Sequence, residues 1–346
     1  MRCIRWHARF DVRVDDIAPP PPPPAGHVQV KVQACGICGS DMAEFREGPL
    51  FIPEGTPHPL TGQAPPIVLG HEVCGEVVAA GSRQERHLVG RLVAIDGLIN
   101  CGHCWACLRH RVNLCEQLAS IGFSADGGLA SHMNVAARGC VPLPAALSPE
   151  AGALAEPLSV GVRALRRGRL TKGERLAVVG GGAVGQLTAQ AAAAMGASTV
   201  VLLEPDNSRR DLARQLGVHE VAGPEAASEV KADVVVDCSG TAAGVMASFA
   251  ATRPAGRIVL VGFVTGSLPL SLLALVRGEK ELIGSLSHVY DEDFATAVDL
   301  LGQGQVGTGP LISVVSDLEQ AHAYITGGPP PAGSAVKMVV RPGAVP

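Results

Sequence analysis

Apolar and polar residues alternate in short runs along the first part of the chain. In residues 28–32 (VQVKV) a polar residue separates each valine from the next, which is the pattern of a strand with one buried face. Similar β-branched runs occur from residue 3 onward. The pattern therefore predicts a β-rich domain at the start of the chain.

The pattern changes between residues 148 and 161, after which apolar strand-like runs alternate with helical segments. Strands separated by helices of this length form a parallel sheet that is covered on both faces. The sequence therefore predicts a doubly wound α/β domain. Its predicted strands are 175–179, 199–203, 234–237 and 258–261, and its predicted helices are 183–195 and 209–216.

The end of the chain carries one amphipathic helix, at 292–301, and strand-like runs at 311–315 and 336–340. This tail is too short to bury a core of its own, so we expect it to fold back onto the first segment. The predicted domains are therefore residues 1–150 with 289–346, and residues 151–288.

Composition narrows the classes of function. A length of 346 residues fits two domains, and 47% hydrophobic with 17% charged residues indicates a globular chain. The formal charge of −4 offers no broad basic surface, which argues against nucleic acid as a partner. No apolar run predicts a membrane span, and residues 1–10 do not form a secretory signal. We expect a cytoplasmic protein that binds a small molecule.

A cluster of cysteines is the strongest chemical signal. Four of the ten cysteines lie within fifteen positions, and their thiolates can surround Zn²⁺ with no open coordination position, as in a structural site. A redox pair would need only two of them, and four free thiols would be exposed to oxidation. We predict a structural zinc lobe at about residues 97–118, with Cys101, Cys104, Cys107 and Cys115 as ligands.

A glycine-rich turn follows the predicted strand 175–179 and opens the next helix. Glycines at 180, 182 and 185 allow a sharp turn and a close approach of backbone N–H groups to a pyrophosphate. Glu204 ends the following strand, where a carboxylate can accept hydrogen bonds from ribose hydroxyls and repel a 2′-phosphate. We predict NAD rather than NADP, although Arg209 and Arg210 could partly offset the repulsion. The predicted cofactor-binding residues are Gly180, Gly182, Val184, Gly185, Glu204 and Arg209.

A second possible metal site is spread along the sequence. Cys38, His71 and Glu156 supply a thiolate, an imidazole and a carboxylate, and a catalytic zinc takes three protein ligands with one exchangeable position. Their spacing alone is weak evidence, because such residues occur far apart in almost any enzyme.

Together these motifs resemble the zinc-dependent medium-chain dehydrogenase/reductase superfamily over nearly the whole chain. The resemblance is closest to the group of 2,3-butanediol, sorbitol and threonine dehydrogenases. It implies a GroES-like catalytic domain, a Rossmann NAD-binding domain between its two parts, and a homodimer or homotetramer. The matching segments are CGSD at 38–41, GHE-x-x-G at 70–75, the four-cysteine loop, EPL at 156–158, the turn at 180–185, FREGPLF at 45–51, PHPLTG at 57–62, EPDNSRR at 204–210 and EDF at 292–294.

The resemblance also assigns roles to residues near the second metal site. It implies that Cys38, His71 and Glu156 bind a catalytic zinc, with Glu72 as a carboxylate that can enter the coordination shell. Ser40 matches the hydroxyl that begins the proton relay, and Asp41 orients His71 or another zinc ligand. The chain departs from many relatives at Ala43, where they carry a histidine that passes the proton to solvent.

The implied reaction is reversible oxidation of a secondary alcohol to a ketone, with hydride transfer to NAD and zinc polarising the substrate oxygen. A vicinal diol or polyol such as 2,3-butanediol is the expected substrate. A sugar alcohol, an aminocyclitol or another biosynthetic intermediate is the alternative. Two further alternatives are a zinc-free reductase and a zinc- and NAD-binding protein without activity. Phe51, His58 and His288 are candidates for the substrate pocket, and His58 is also a candidate to replace the relay histidine.

Overall fold

The computed structural model describes residues 1–264, 267–268, 270–328 and 336–343. Contacts divide the chain into two compact units. The first unit contains Met1–Glu156 and the described residues of Ile312–Pro346, and the second contains Pro157–Leu311. No helix among the described residues is both long enough and apolar enough to cross a bilayer.

The first unit begins as a strand-rich segment with two helices. The helices are α1 (Gly39–Glu47) and α2 (Pro149–Ala153). The strands are β1 (Arg2–Ala8), β2 (Asp11–Asp16), β3 (His27–Gly36), β4 (Ile67–Val68), β5 (Glu72–Ala80), β6 (Leu92–Ile95), β7 (Leu98–Ile99), β8 (Ala119–Ser120), β9 (His132–Ala136) and β10 (Cys140–Pro142).

The second unit follows as an alternation of helices and strands. The helix α3 (Ala155–Arg167) contains the boundary between the units. The remaining helices are α4 (Ala183–Ala194), α5 (Asn207–Gln215), α6 (Ala227–Val230), α7 (Ala242–Ala251), α8 (Leu272–Arg277) and α9 (Ala295–Gly302). The strands are β11 (Arg175–Val179), β12 (Thr199–Leu203), β13 (Glu220–Ala222), β14 (Ala232–Asp237), β15 (Thr252–Leu260) and β16 (Glu281–Gly284).

The chain then returns to the first unit through β17 (Ile312–Ser316), α10 (Leu318–Ile325) and β18 (Lys337–Val340). The main sheet of this unit has the order β10-β6-β5-β3-β18-β17, and β9 also pairs with β3. The returning strand β18 lies antiparallel to β3, with Val339 opposite Gly36. The end of the chain therefore completes a sheet that its beginning started.

The alternation that predicted strand β3 reflects its burial. Val28, Val30 and Val32 are fully or almost fully buried, whereas Lys31 between them is exposed. Each buried valine contributes about 2 kcal/mol by leaving water. The hydrophobic core of the first unit lies on this face of the sheet.

The second unit is the predicted doubly wound domain. Its six strands are all parallel, in the order β13-β12-β11-β14-β15-β16. The valines of β11 and β14 are buried on both faces, which explains their unbroken apolar runs. The predicted α/β fold class is confirmed, and β11 and β12 have the predicted bounds. The segment predicted as one helix at 292–301 is instead a short π-helix over Tyr290–Phe294 that continues into α9.

The second domain boundary lies between residues 311 and 312, not between 288 and 289 as the sequence predicted. Residues 289–311 belong to the second unit because Asp293 is buried there and pairs with Arg163 and Arg166 of α3. In addition, the Gln190 side chain of α4 both donates to and accepts from the backbone of Gly307. Parts of the predicted domains, residues 265–266, 269, 329–335 and 344–346, lie outside the described residues.

Candidate active site

Cys38 lies in the first unit, where strand β3 ends and helix α1 begins. Its backbone N–H donates to Asp41 Oδ2 at 2.9 Å, and the Asp41 N–H donates back to the Cys38 carbonyl at 3.2 Å. Asp41 is fully buried. This closed pair fixes the backbone that carries the Cys38 thiol.

His71 lies immediately before strand β5 and is buried. Its Nε2 lies 3.4 Å from the Ser40 hydroxyl, and its Nδ1 lies 3.5 Å from Asp41 Oδ1. Within the described part of the chain, Nδ1 and Oδ1 have no other hydrogen-bond partner. Burial alone would lower the pKa of His71, but the Asp41 carboxylate and the Cys38 sulfur raise it well above its ordinary value. The carboxylate therefore orients the ring with Nε2 toward Ser40.

Cys38, His71 and Glu72 form a group with the geometry of a metal site. One ligand atom from each lies within 4.8 Å of the other two. Sulfur, imidazole nitrogen and carboxylate oxygen are all zinc ligands, and three of them leave a fourth position for a substrate. His71 Nδ1 lies beside Asp41 Oδ1 and has no other partner among the described residues. A carboxylate at this nitrogen is the support that a metal-binding histidine needs. The donor set therefore fits a catalytic zinc ion.

The carboxylate in this group is not the one predicted as the main ligand. Glu156 is the second residue of α3, is partly exposed, and does not belong to the group of described donor atoms within 4.8 Å. Glu72, predicted only as an occasional ligand, does belong to it. Glu72 is the residue directly after His71 at the start of β5, so the backbone brings both side chains to one point.

Lys337 makes the closest contact with Glu72. Its ammonium group lies 2.6 and 2.7 Å from the two carboxylate oxygens and 3.0 Å from the Ile37 carbonyl oxygen. Both side chains are buried. Burial alone would lower the pKa of Lys337, but the negative charges of Glu72 and Cys38 raise it. Gly36 makes room for the pair, since a Cβ there would overlap Glu72 Oε2.

Aromatic rings lie beside His71. The Phe123 ring lies 4.8 Å from the imidazole, and the partly exposed Phe51 ring lies 5.3 Å from Phe123. Phe51 was predicted to line the substrate pocket, whereas Phe123 was not predicted. This pair gives the surroundings of His71 an apolar side.

The described contacts of the other two pocket candidates, His58 and His288, are local. The backbone of His58 closes a turn with Gly62 and Gln63, and its Nδ1 accepts from the Leu60 N–H at 3.3 Å. Among the described hydrogen bonds, none joins His58 to Ser40 or His71. His288 is buried in the second unit against Phe294, with 5.3 Å between ring centres.

The four-cysteine lobe brings its thiols together as predicted. Ligand atoms of all four cysteines lie within 4.8 Å of one another. The sulfurs of Cys101 and Cys107 are 3.9 Å apart, and those of Cys104 and Cys115 are 4.0 Å apart. Sulfurs at the corners of a tetrahedron around zinc would be about 3.8 Å apart. Backbone N–H groups of Cys107 and Glu116 lower the pKa of Cys104 to about 6, which favours the thiolate. The lobe therefore fits a structural zinc.

The glycine-rich turn lies in the second unit, between β11 and α4. Gly180 has a φ of 100°, which other residues rarely adopt, and a Cβ on Gly185 would overlap the Gly180 carbonyl oxygen. Gly182 caps α4 and faces open space, followed by the first helical N–H groups at Ala183 and Val184. The turn therefore fits a dinucleotide pyrophosphate.

Glu204 lies against this turn and is buried. Its Oε2 accepts from the Gly181 N–H at 2.5 Å, and its Oε1 accepts from the Asp206 N–H at 2.9 Å. The Arg210 guanidinium donates to the backbone oxygens of Glu204 and Pro205. Arg209 lies in the first turn of α5, and its carbonyl accepts from Gln186 Nε2 at 2.9 Å. The Arg210 side chain is thus already hydrogen-bonded to backbone oxygens. Arg209 is therefore the better candidate of the two arginines to bind the cofactor.

Sequence reasoning missed Lys337 and Phe123. The signal for Lys337 was a single lysine in an otherwise apolar strand, because a charge at such a position must find a buried partner. No local signal identified that partner as Glu72. Phe123 follows the four-cysteine loop, and only the tertiary fold brings it to His71.

Two family models match the chain. The model described as alcohol dehydrogenase GroES-like domain matches residues 24–145, and the model described as zinc-binding dehydrogenase matches residues 183–303. Together they span parts of both units.

Similar proteins align with nearly the whole chain. The (R,R)-butanediol dehydrogenase of Bacillus subtilis is 32% identical over 99% of this chain and 100% of its own length. The 2-dehydro-3-deoxy-L-galactonate 5-dehydrogenase of Pseudoalteromonas atlantica is 35% identical over 88% of this chain and 89% of its own. The solved structure of a zinc-binding dehydrogenase from Sinorhizobium meliloti bound to NADP is 30% identical, covers 99% of both chains, and has a TM-score of 0.88.

The pair of Glu72 and Lys337 yields a prediction about stability. In the variant K337M the buried Glu72 carboxylate loses its ammonium partner, so the apparent free energy of unfolding should fall by about 3 kcal/mol. Denaturant unfolding followed by fluorescence of the buried Trp6 would measure this. The variant K337R keeps the positive charge, so its free energy of unfolding should fall by less than that of K337M. K31M, which removes an exposed lysine from β3, is the matched control, and equal unfolding of K337M and K31M would contradict the prediction.

Proposed function

Because the chain belongs to the zinc-type alcohol dehydrogenases of the medium-chain dehydrogenase/reductase superfamily, close to the butanediol and sorbitol dehydrogenases, we propose that it interconverts a secondary alcohol and its ketone with NAD. The substrate class that we propose is a vicinal diol or polyol. The observation that carries this proposal is the Ser40 hydroxyl beside His71 Nε2, within the donor group of Cys38, His71 and Glu72.

In this proposal the first unit binds the substrate oxygen and moves its proton. Cys38 and His71 hold the zinc ion, with Glu72 as the third ligand and Glu156 as the alternative carboxylate. Zinc, when bound, supplies Lewis-acid chemistry that makes an alcohol hydroxyl acidic near neutral pH. Ser40 Oγ accepts the substrate proton, because the hydroxyl can donate and accept at once. Asp41 keeps the His71 ring in the orientation that the zinc ion requires.

The onward path of the proton is short. Ala43 has no group that can carry a proton, and His58 Nδ1 accepts from the backbone of its own loop. We therefore propose that the proton passes from Ser40 Oγ to solvent without a histidine. Phe123 and Phe51 exclude water from the side of the site where Phe123 packs on His71. Excluding water there strengthens the electrostatic interactions within the site.

The second unit is proposed to hold the cofactor. Gly180, Gly182 and Gly185 shape the turn, Val184 offers a backbone N–H at the start of α4, and Glu204 faces the adenosine ribose. A nicotinamide cofactor held by these residues would supply the hydride acceptor for the reaction. The buried negative charge of Glu204 disfavours a 2′-phosphate, which supports NAD. Arg209 supports the opposite preference, as does the relative from Sinorhizobium meliloti whose structure is bound to NADP.

We further propose a structural zinc bound by Cys101, Cys104, Cys107 and Cys115. The near-tetrahedral sulfur distances support it. The ligand thiols must stay reduced, which supports a reducing compartment such as the cytoplasm.

Self-association is proposed through one face of the second unit. The end strand β16 pairs only with β15 among the described strands, and its Leu282 is exposed. The neighbouring segment α8 exposes Leu272, Leu273 and Val276, each about 65–72% accessible. A second copy could pair with the same strand edge and cover these side chains.

The activity prediction joins metal content to turnover. The wild-type protein should reduce NAD with 2,3-butanediol or another polyol and should contain two zinc ions per chain, one for each donor group. The variants C38S and H71A should each contain about one zinc ion per chain. Their kcat should fall by about a thousandfold, because Lewis-acid catalysis contributes several kcal/mol. Nicotinamide absorbance and elemental analysis provide the measurements. C140S removes a thiol outside both groups and is the control. Turnover within a few fold of wild type in a zinc-depleted C38S protein would refute the role of zinc.

The cofactor prediction concerns Glu204. In E204A the kcat/KM with NAD divided by the kcat/KM with NADP should fall by about tenfold. The variant loses the charge-assisted hydrogen bond to the ribose of NAD, and it no longer repels the 2′-phosphate of NADP. E204Q keeps an acceptor for the Gly181 N–H and so separates loop distortion from charge. An unchanged ratio in both variants would show that Glu204 does not face the ribose.

The assembly prediction concerns α8. L273E should convert the oligomer to monomers, because a carboxylate would be buried at the proposed interface, and light scattering would measure the mass. L108E alters an equally exposed leucine in the cysteine lobe and should leave at least a dimer. A monomeric wild-type protein, or an unchanged mass of L273E, would reject this surface.

A further inference from the structure

Glu44 is a buried carboxylate that the proposed reaction does not use. It lies on α1, one turn after Asp41, and is fully buried. It is not part of the group formed by Cys38, His71 and Glu72. A carboxylate in such a position is costly unless several donors satisfy it. The identity of its donors therefore indicates what the residue does.

The donors are consecutive backbone groups of a single loop. The N–H of Leu50 lies 3.1 Å from both carboxylate oxygens, the N–H of Ile52 lies 3.2 Å from Oε1, and the N–H of Phe51 also donates to Oε1. Burial raises the pKa of Glu44, and these three donors oppose the rise. One side chain thus organises three successive residues that form no strand or helix.

The chain is shaped to fold back onto Glu44. Gly48 ends α1, and its N–H donates to the Glu44 carbonyl at 3.1 Å. A Cβ at Gly48 would overlap that carbonyl oxygen and would lie 2.5 Å from Glu44 Oε2. The Trp6 indole N–H donates to the same carbonyl at 3.0 Å. Helix, loop and core are therefore joined at Glu44.

The loop carries Phe51 toward the metal site. Ile52 anchors one side of it in the core, while the Phe51 ring remains 40% exposed and packs on Phe123, which packs on His71. The Ser124 hydroxyl also donates to the Phe51 carbonyl at 3.4 Å. Two ring contacts thus connect a loop held by Glu44 with a proposed zinc ligand.

We propose that Glu44 is a positioning residue that holds loop 48–52 and so sets Phe51 as the apolar wall of the substrate site, selecting alcohols with an alkyl group beside the carbinol carbon. This inference rests on the proposed function, because Phe51 can select substrates only if the site beside it oxidises alcohols. An alkyl group gains by leaving water against the ring, whereas a hydroxylated carbon loses hydrogen bonds there. The favoured substrate is thus a short diol with a methyl end, and a hexitol is disfavoured.

The test uses variants of the full-length enzyme, assayed with 2,3-butanediol and with sorbitol. E44L removes all acceptors and should raise KM for 2,3-butanediol about tenfold, with kcat changed less than about threefold, as the loss of one alkyl contact predicts. It should leave KM for sorbitol within about twofold of the wild-type value. E44Q retains an oxygen for the three N–H groups and should restore the wild-type KM. E47L, on the exposed side of the same helix, is the matched control.

Phe51 tests the connection independently, since its partly exposed ring can be removed without emptying the core. F51A should reproduce the effect of E44L, and the double variant E44L/F51A should be no worse than F51A alone. Amide hydrogen exchange of residues 50–52 should quicken in E44L but not in E44Q or E47L. Should E44L not fold, E44D replaces it: its shorter side chain moves the carboxylate away from the three N–H groups, so it should raise the KM for 2,3-butanediol and quicken amide exchange of residues 50–52, and wild-type values of both would overturn the role of Glu44.

The outcomes separate the two proposals. An unchanged KM in E44L, additive effects of E44L and F51A, or an F51A variant with wild-type selectivity would overturn the role of Glu44 while leaving the dehydrogenase intact. Absence of NAD-dependent oxidation of both alcohols by the wild-type enzyme would overturn the proposed function, and with it the substrate wall.

Discussion

The candidate active site depends on one buried ion pair. Glu72 lies directly after His71 on β5 with no access to solvent, and a carboxylate there must be neutralised. Lys337 neutralises it with two short hydrogen bonds from a strand at the far end of the sequence. The antiparallel pairing of β18 with β3 sets the position of that lysine, and Gly36 on β3 leaves space for the carboxylate. The sheet, the glycine and the charge pair thus form one arrangement around the metal donors.

Much of the fold, the clustering of the four cysteines and the glycine-rich turn could be predicted from the sequence, because their signals are local. The cysteines of the lobe are close in sequence, so their spacing alone limits the geometry that they can form. The turn after β11 needs glycine at 180 for its positive φ and at 185 for space, and both requirements leave a mark in the sequence. The valine runs of β11 and β12 likewise follow directly from burial on two faces of a parallel sheet.

What could not be predicted depends on contacts between distant residues. Glu72 and Glu156 are both glutamates near family motifs, and only the folded chain shows which of them joins Cys38 and His71 within 4.8 Å. The boundary near residue 311 depends on Asp293 meeting two arginines of α3, and on Gln190 holding Gly307. Glu44 resembled any other helical glutamate until the backbone of residues 50–52 was seen to surround it.

The return of the chain to its first unit has a consequence for biosynthesis. A nascent polypeptide leaves the ribosome from its N-terminus, and its domains generally fold in that order. The candidate metal donors Cys38 and His71 emerge early, but the cation that balances Glu72 emerges only after β16, β17 and then residue 337 have been made. The counter-charge of this donor group is therefore supplied only after the whole second unit has been synthesised. A truncated product that lacks the last strand would carry the donors without their counter-charge.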